Sequence, residues 1–439
     1  YYTTSGAFLY NNYMPRQIIT TFIGKSVKFA ARLRGGGSAL PGLVVETLDP
    51  GYIARTLRDL PYGVVVISGT NGKTTTTKIV VELLEAAGLR VFTNRTGSNF
   101  SRGVAAALLG DVNAAGKLDA DIAVLELDEA WAVKFVKSVP PRYSLLLNVM
   151  RDQLDRFGEI DTAANMLGSI ARATTGTVVL NRDDPRIFAL QAHTAATPTF
   201  FGTTTELLTL MPTDDALKTG GAEANDAISA DVLLTGINGR TAEFTFDDAS
   251  HTVPMQLGGV YNVLNAAAAL TLVRRILADA TPDTNNITTT LLAALSDVQP
   301  AFGRGETIML HDTPIELILV KNPSGFRLSL LSFADKSAQT MIAINDNYAD
   351  GRDMSWLWDV DFSGLEHVQM VSGLRAYDMA LRLAYDDTPP TRVEPDLAMA
   401  LDEFTTAAPD TPKHIFCTYT AMTTLRKLLA EKTDVEDIS

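Results

Sequence analysis

Apolar residues along the chain alternate between short continuous runs and stripes at helical spacing. The first run consists of the β-branched residues Val64, Val65, Val66 and Ile67. A glycine turn separates it from the first stripe, which consists of Ile79, Val80, Leu83 and Leu84. Helical stretches separate the next three runs, which cover residues 122–127, 144–149 and 177–180. Strand, turn and helix in this succession predict an α/β fold with a parallel sheet.

The pattern changes twice along the chain. Residues 200–255 are rich in Thr, Asp and Gly and contain short alternating pieces, which predicts a small antiparallel β insertion. Beyond residues 300–305, runs and helical stretches alternate again and predict a Rossmann-like, doubly wound domain. We therefore expect three parts: an N-terminal helix and loop (1–50), a central domain (51–299) and a C-terminal domain (300–439).

The N-terminal part contains an apolar stripe over residues 18–27, with Lys25, Lys28 and Arg32 on a different side of the expected helix. Two interpretations remain open: a helix that docks on the next domain, and a basic amphipathic helix that rests on an anionic membrane surface. No apolar run reaches the roughly 18 residues that would predict a membrane-spanning helix.

Composition narrows the class of protein. Of 439 residues, 46% are hydrophobic and 20% are charged, as in ordinary globular proteins. A net charge of −14 argues against a nucleic-acid partner, because phosphate neutralisation needs clustered Lys and Arg. Cys417 is the single cysteine, which excludes an internal disulfide and a zinc site built from several cysteines. We expect a cytoplasmic protein without zinc, with a peripheral position at the inner face of the plasma membrane as an alternative.

The strongest chemical signal is a glycine-rich loop between the first run and the first stripe. Its residues are Gly69, Thr70, Asn71, Gly72, Lys73, Thr74 and Thr75. Backbone N–H groups at such a helix N-terminus bind phosphate, the lysine reaches the β- and γ-phosphates, and the Thr74 hydroxyl holds magnesium. The usual phosphate-loop spacing needs a glycine where Ile67 stands, so this loop is a shortened variant.

Carboxylates follow the apolar run 122–127. Because side chains alternate along a strand, we expect Glu126 and Asp128 on one face and Glu129 on the other. The carboxyl edge of a parallel sheet is where ligands bind, and magnesium prefers oxygen ligands. Glu126 is therefore the candidate magnesium ligand beside Thr74, in a site for ATP or GTP.

The loop resembles the nucleotide loop of the Mur ligase and folylpolyglutamate synthetase superfamily. Further segments match in the superfamily's order: Asn148 with residues 152–158, then 180–185, 261–266 and 302–304. The resemblance implies a Mur-ligase ATPase domain in which ATP phosphorylates a carboxylate and an amine attacks the acyl phosphate. It also implies that Asn262 contacts the adenine, Glu126 a magnesium ion and Arg304 the phosphate region.

Two features indicate one branch of the superfamily. Gln153 stands where amino-acid-adding Mur ligases usually carry His. The C-terminal domain also contains three characteristic segments, at residues 321–326, 345–353 and 372–380. These segments resemble the MurT family, the synthetase subunits of glutamine-hydrolysing lipid II isoglutaminyl synthase. The resemblance implies a carbon–nitrogen ligase that activates the α-carboxylate of D-glutamate in the lipid II stem peptide for amidation to D-isoglutamine. Ammonia would come from a GatD-type glutaminase partner, which borrows an aspartate from the synthetase. Many relatives carry a four-cysteine zinc ribbon, whereas residues 200–255 contain no cysteine.

An acidic loop in the C-terminal domain offers candidates for that aspartate. A calcium-binding EF-hand starting at Asp346 is excluded, because Tyr348 and Leu357 stand where oxygen ligands are needed. Asp346 follows an apolar strand and is expected to point into the cleft. An aspartate can orient a partner's catalytic imidazole, and we assign this role to Asp353 first and Asp350 second, with a structural Asx turn as the alternative for either.

Two other functions remain as alternatives. One is a Mur or folylpolyglutamate-type ligase that joins an amino acid, and the other is a non-catalytic nucleotide-binding scaffold for a glutaminase.

Overall fold

The structure, a computed structural model, describes residues 5–33, 39–94, 100–150, 160–211, 224–280, 286–300, 304–333 and 337–435. Two sheets with helices on both faces organise these residues, so the predicted α/β class is confirmed. The structure divides the strands between a nine-stranded sheet formed by residues 64–254 and a six-stranded sheet formed by residues 304–417.

The first sheet has the strand order β2-β3-β1-β4-β5-β6-β7-β8-β9. Its strands are β1 (Val64–Ser68), β2 (Val91–Thr93), β3 (Ile122–Glu126), β4 (Tyr143–Leu146), β5 (Thr177–Asn181), β6 (Thr197–Thr203), β7 (Val232–Asn238), β8 (Thr241–Phe246) and β9 (Ala249–Pro254). All neighbours from β2 to β7 are parallel, whereas β8 and β9 are antiparallel additions. The central strands are buried on both faces, which explains why their sequences are continuous apolar runs.

Helices cover both faces of this sheet. They are α1 (Ser5–Leu33), α2 (Ala39–Leu48), α3 (Tyr52–Leu57), α4 (Lys73–Ala86), α5 (Ser101–Asp111), α6 (Glu129–Ser138), α7 (Ile160–Ala173), α8 (Pro185–Ala189), α9 (Thr205–Leu208), α10 (Val260–Ala280) and α11 (Ile287–Asp297), with a 3-10 turn at Leu190–His193. Helices α4, α10 and α11 form one hydrophobic core with the sheet, and α2, α3 and α5–α7 form the other.

The antiparallel strands differ from the predicted insertion over 200–255. They are confined to β7–β9 and continue the main sheet, because β7 pairs in parallel with β6. The last residues of β6 also fall inside the predicted range, yet they belong to the parallel part of the sheet. Period-two alternation marks a half-exposed strand but does not show which sheet it joins.

The second sheet has the order β10-β11-β15-β12-β13-β14, with β10 antiparallel and the other neighbours parallel. Its strands are β10 (Arg304–Leu310), β11 (Thr313–Leu319), β12 (Gln339–Ala343), β13 (Met370–Ser372), β14 (Arg392–Val393) and β15 (Lys413–Cys417). Its helices are α12 (Pro323–Phe333), α13 (Ala376–Tyr385), α14 (Leu397–Thr406) and α15 (Tyr419–Ala430), with a 3-10 turn at Ser355–Asp359. Separate hydrophobic cores fill the two faces, as in a doubly wound domain.

None of the helices within the described ranges combines the length and the apolar character needed to cross a membrane.

Candidate functional site

The loop between β1 and α4 takes a shape that only glycine allows at two positions. Gly69 has φ +138° and Gly72 has φ +88°, both in the region that disfavours side chains. A Cβ on Gly72 would stand 2.5 Å from Oδ1 of Asn265, and one on Gly69 would stand 3.1 Å from the backbone of Asn148. The loop is therefore a close-fitting cradle that opens on the N-terminus of α4, as phosphate binding requires.

Lys73 begins helix α4 and is almost fully buried. Its ammonium group donates hydrogen bonds to the carbonyl oxygens of Gly69 and Thr70, inside its own loop. It also forms an ion pair of 3.6 Å with Glu129. The ammonium group is thus held at the mouth of the cradle, where it can exchange these partners for the oxygens of a bound phosphate.

Thr74 and Glu126 come together as predicted for a magnesium site. The Thr74 hydroxyl donates a hydrogen bond of 2.8 Å to Oε1 of Glu126, which lies at the end of β3 and is largely buried. Asn94 fixes this strand end, because its side chain bonds both the N–H and the carbonyl of Glu126. A hydroxyl and a carboxylate side by side are the oxygen donors that magnesium prefers, so the donor set fits that ion.

The expectation for Glu129 was wrong. Strand alternation would point Glu129 away from Glu126, but β3 ends at Glu126 and α6 begins at Glu129 with Asp128 as its N-cap. The change from strand to helix returns the Glu129 side chain to the loop, where it meets Lys73. A sequence signal existed: Asp128 before Glu129 and a following apolar stripe are typical of a helix start.

Residues 148–150, which follow β4, hold the phosphate loop through hydrogen bonds. The Asn148 side chain accepts from Asn71 N–H at 2.9 Å and donates to Asn71 carbonyl at 3.0 Å. Met150 N–H donates to the Thr70 hydroxyl at 3.0 Å, and Asp184 holds Val149 N–H at 3.0 Å. Burial raises the pKa of Asp184, while its backbone hydrogen bonds act in the opposite direction. The loop is therefore supported from β4 before any ligand arrives.

A cleft lies between the phosphate loop and the C-terminal domain. The central domain contributes Asn71, Gly72, Asn262 and Asn265, and the C-terminal domain contributes Lys321, Gly325 and Phe333 among others. Asn262, the residue expected to contact the adenine, lines this cleft, and its side-chain amide donates to the Gly258 carbonyl at 2.6 Å.

A side-chain contact that the sequence did not predict joins the two domains at this cleft. Asn322 is fully buried; its amide donates to Oδ1 of Asn71 at 3.1 Å, and its carbonyl accepts from Gly325 N–H at 2.6 Å. The same residue thus caps helix α12 and contacts the phosphate loop.

Part of the predicted site cannot be placed. Arg304 begins strand β10, opposite Ile318, but its side chain lies outside the described part of the structure. The segment 152–158, including Gln153, also lies outside the described residues, as do residues 302 and 303.

The acidic loop separates its aspartates by environment. Asp350 is buried and accepts hydrogen bonds from Asn347 N–H and from both the N–H and the hydroxyl of Thr420, at 2.6–3.0 Å. These bonds tie the loop to the start of α15. Asp353 is exposed and accepts a hydrogen bond of 2.9 Å from Ser355 N–H. Hydrogen bonding by Ser355 lowers the pKa of Asp353, so its carboxylate is ionised.

Asp346 does not line the cleft as expected. Its carboxylate pairs with the Arg375 guanidinium at 2.6 Å, just before helix α13. The backbone turns after β12, and the basic residue beyond β13 captures the side chain. This contact raises the pKa of Arg375 above its ordinary value.

Cys417 lies at the end of β15 and is completely buried. Burial raises the pKa of its thiol well above the usual range, so it carries no nucleophilic thiolate. No cluster of three or more His, Cys, Asp or Glu suited to a metal occurs in the stretches that the structure covers.

Two family models match the chain. Residues 67–273 match the Mur ligase middle domain, and residues 319–422 match the MurT ligase C-terminal domain. Two relatives named "Lipid II isoglutaminyl synthase (glutamine-hydrolyzing) subunit MurT", from two species, are each 30% identical to this chain. The Streptococcus pneumoniae (strain ATCC BAA-255 / R6) protein aligns over 93% of this chain and 96% of its own length. The Staphylococcus aureus (strain COL) protein aligns over 88% of this chain and 92% of its own length.

Solved structures share the fold at low identity. The MurF ligase of Thermotoga maritima in complex with ADP superimposes with a TM-score of 0.66 at 18% identity, covering 88% of this chain and 83% of its own. E. coli FolC in complex with DHPP and ADP gives 0.60 at 15% identity, covering 87% and 92%. The Mur-ligase fold predicted from the sequence is confirmed by these neighbours.

The two domain matches and the full-length relatives agree with the branch that the C-terminal motifs indicated, so that prediction is confirmed. The chain belongs to the MurT family and is a ligase of the Mur type.

Proposed function

We propose that the chain binds ATP and magnesium and phosphorylates the α-carboxylate of D-glutamate in the stem peptide of lipid II. The reaction breaks the bond between the γ-phosphorus and the bridging oxygen of ATP and forms an acyl phosphate with release of ADP. Ammonia then attacks the acyl carbon, phosphate leaves, and the product is D-isoglutamine. The observation that carries this proposal is the Lys73, Thr74 and Glu126 arrangement at the mouth of a cleft closed by a MurT-type domain.

Each loop residue has a task in this reaction. Backbone N–H groups from Gly69 to Thr75 receive the phosphates, and Lys73 exchanges its loop carbonyls for phosphate oxygens. Glu126 and Thr74 would hold magnesium, which would neutralise charge on the transferring phosphoryl group. Asn262 would position the adenine, and Arg304 would contact the phosphate region.

We also propose that a GatD-type glutaminase supplies the ammonia and that Asp353 completes its catalytic group. Asp350 is occupied by three hydrogen bonds within the chain, whereas Asp353 is exposed and ionised. Because Asp353 is exposed, its carboxylate is accessible to the N–H of a partner's imidazole.

The surface beside Asp353 suits a protein partner. Helix α13 exposes Tyr377, Leu381 and Tyr385, and Trp358 packs edge-on against Tyr385 at 5.1 Å. Aromatic side chains in such clusters are typical of interface cores. Arg382 bonds the carbonyls of the 3-10 turn that follows Asp353, which holds helix and turn as one surface.

The proposed reaction takes place at the inner face of the plasma membrane, because the substrate is lipid-linked. To test the function, the chain is purified with a GatD-type glutaminase and incubated with lipid II, glutamine and ATP–magnesium. We expect amidated lipid II by mass spectrometry and one phosphate released for each amide formed. Lys73→Ala should abolish both, while Lys78→Ala, a half-buried lysine farther along the same helix that pairs with Glu82, should retain them.

Free ammonia separates the alternatives. If the chain uses an amino acid but not ammonia, it is an amino-acid ligase and the proposal is wrong. ATP hydrolysis that never depends on lipid II would instead indicate a nucleotide-binding scaffold.

A further inference from the structure

Helix α1 packs on the protein through its polar side. Gln17 bonds the Thr56 hydroxyl and the Gly116 carbonyl, and the buried Thr21 hydroxyl lies 3.0 Å from Tyr52 Oη. Lys25 donates to the carbonyl of Val112, the C-cap of α5, at 2.6 Å, and Lys28 donates to the carbonyl of Ala106 in α5 at 2.9 Å. These residues recur at three- and four-residue spacing, so they form one continuous helix face.

Small residues bring this face close to its neighbours. A Cβ on Gly24 would stand 2.6 Å from the Leu109 side chain and 2.8 Å from that of Val45. On α2, a Cβ at Gly42 would stand 1.9 Å from the Arg102 carbonyl oxygen. These close contacts pack α1 and α2 tightly against α5 and leave the opposite face of α1 pointing outward.

The opposite face of α1 carries large apolar side chains in solvent. We name this the outer stripe, and it consists of Ile18, Ile19, Phe22, Phe29 and Leu33. Phe22 is 73% exposed and Leu33 is 74% exposed, and α2 adds the exposed Leu40 and Leu43. The stripe runs along about 22 Å of helix. An apolar surface of this extent marks a binding face.

We propose that the outer stripe docks on an anionic lipid bilayer. The charge of the segment supports this occupant: residues 1–45 contain Arg16, Lys25, Lys28, Arg32 and Arg34 and no acidic residue, in a chain with net charge −14. An exposed apolar helix face on a positively charged segment is suited to lie in the interface of an anionic membrane. The sequence alone left two interpretations of this helix open, and the structure joins them, because one face packs on the protein and the other is free.

A second copy of the chain fits this face poorly. A symmetric dimer would bring two segments of the same positive charge together. The glutaminase proposed above is assigned to the tyrosine-rich face beside Asp353 on the other domain. The docking deepens the proposed function and rests on it for its purpose, since it brings the cleft to a lipid-linked substrate.

Vesicle flotation tests the proposal with the chain alone. We expect the protein to float with vesicles of phosphatidylglycerol and phosphatidylcholine (about 3:7), and at least about fivefold less with phosphatidylcholine alone. The triple variant Ile19→Ser, Phe22→Ser, Phe29→Ser should lose about a hundredfold in vesicle affinity, because three interfacial apolar side chains are removed. All three residues are exposed, so the thermal unfolding midpoint should not change.

A matched control replaces three exposed apolar residues of the C-terminal domain: Met309→Ser, Leu331→Ser, Met399→Ser. This control should float like the original chain. No flotation of the original chain, or equal flotation of the stripe variant, would overturn the proposal. A dimer that light scattering finds in the original chain but not in the stripe variant, without flotation, would assign the stripe to self-association and overturn it as well.

Activity distinguishes this proposal from the proposed function. With the glutaminase present, the stripe variant should amidate detergent-solubilised lipid II at the original rate and vesicle-embedded lipid II at least about tenfold more slowly. If the proposed function is wrong, neither form of lipid II is amidated by any variant, while flotation is still observed.

Discussion

The amide of Asn322 donates a hydrogen bond of 3.1 Å to Oδ1 of Asn71 and so joins the C-terminal domain to the phosphate loop. The two residues are 251 positions apart in sequence. Asn71 is also held by Asn148 through its backbone, so the contact connects two preformed elements. The position of the C-terminal domain is therefore linked to the loop that we propose binds the phosphates of a nucleotide.

We predict that Asn322→Ala weakens nucleotide binding and also lowers the amidation rate, each by about tenfold. The substitution removes the contact with Asn71, worth about 1 kcal/mol, and the N-cap of helix α12, worth about the same. Isothermal titration with ADP and single-turnover amidation measure the two effects.

Asn322→Ser separates the cap from the domain contact. Serine caps a helix well but is too short to reach Asn71, so stability should return while nucleotide affinity stays low. A double-mutant cycle with Asn71→Ala should give a coupling energy near 1 kcal/mol. A coupling of zero would show that the contact between Asn322 and Asn71 contributes nothing to nucleotide binding.

The two aspartates of the acidic loop should respond differently to the same change. Asp353→Asn should lower glutaminase turnover of the complex by about 10³–10⁴-fold, because an amide cannot hold an imidazole in the required tautomer. The isolated chain should keep its thermal stability, since Asp353 is exposed. Free ammonia should restore amidation. Full glutaminase activity in this variant would disprove the assignment.

Asp350→Asn should instead destabilise the fold, by about 3 kcal/mol. Its two carboxylate oxygens accept three hydrogen bonds in a buried place, and asparagine offers only one acceptor oxygen. Urea unfolding of the chain measures this loss.

The acid side of the glutaminase pH profile should not depend on Asp353. Ser355 lowers the pKa of this carboxylate, so it stays charged as the pH falls through the ordinary aspartate range near 4. The stability that the charged carboxylate contributes is therefore fully present above the ordinary aspartate pKa. It is lost only as the pH falls further, through the lowered pKa of the folded chain. We expect Ser355→Ala to leave the apparent pKa of turnover unchanged above about pH 5. A shift of that limb would show that Asp353 itself titrates there.

The magnesium assignment predicts a difference between two neighbouring glutamates. Glu126→Gln should raise the magnesium concentration for half-maximal activity by about tenfold or more, because a charged oxygen ligand is lost. Glu129→Gln should leave the magnesium requirement unchanged, since Glu129 pairs with Lys73, whereas Glu126 bonds Thr74. It should lower the free energy of unfolding by up to about 3 kcal/mol through the buried ion pair. Equal magnesium dependence in both variants would contradict the assignment.

The fold class and the phosphate loop could be predicted because they depend on local patterns. Buried parallel strands are continuous apolar runs, and a loop with Gly69, Gly72 and Lys73 between strand and helix has few other uses. The Thr74 and Glu126 pairing also followed, because both residues lie at the carboxyl edge of one sheet.

The remaining contacts depend on where distant segments meet. Asn322 lies in a motif that could be recognised, but its approach to Asn71 is set by how two domains pack. Asp346 was assigned to the cleft from its position after a strand, and a charge on another loop, Arg375, determined its orientation. Helix α1 shows the same limit, because an apolar stripe predicts a helix but not which of its faces is buried.

Cys417 should be inert in the folded chain. It is completely buried, and burial raises the pKa of its thiol, so almost no thiolate exists at pH 8. With a chromogenic disulfide reagent at pH 8, we expect no reaction of the native chain within minutes and one thiol per chain after unfolding in guanidinium. Cys417→Ala should retain amidation in the complex, with a modest loss of stability of about 1 kcal/mol from the smaller side chain. If this variant lost glutamine-dependent amidation but kept its fold, the nucleophile would lie on this chain, and the proposal of a separate glutaminase would be wrong.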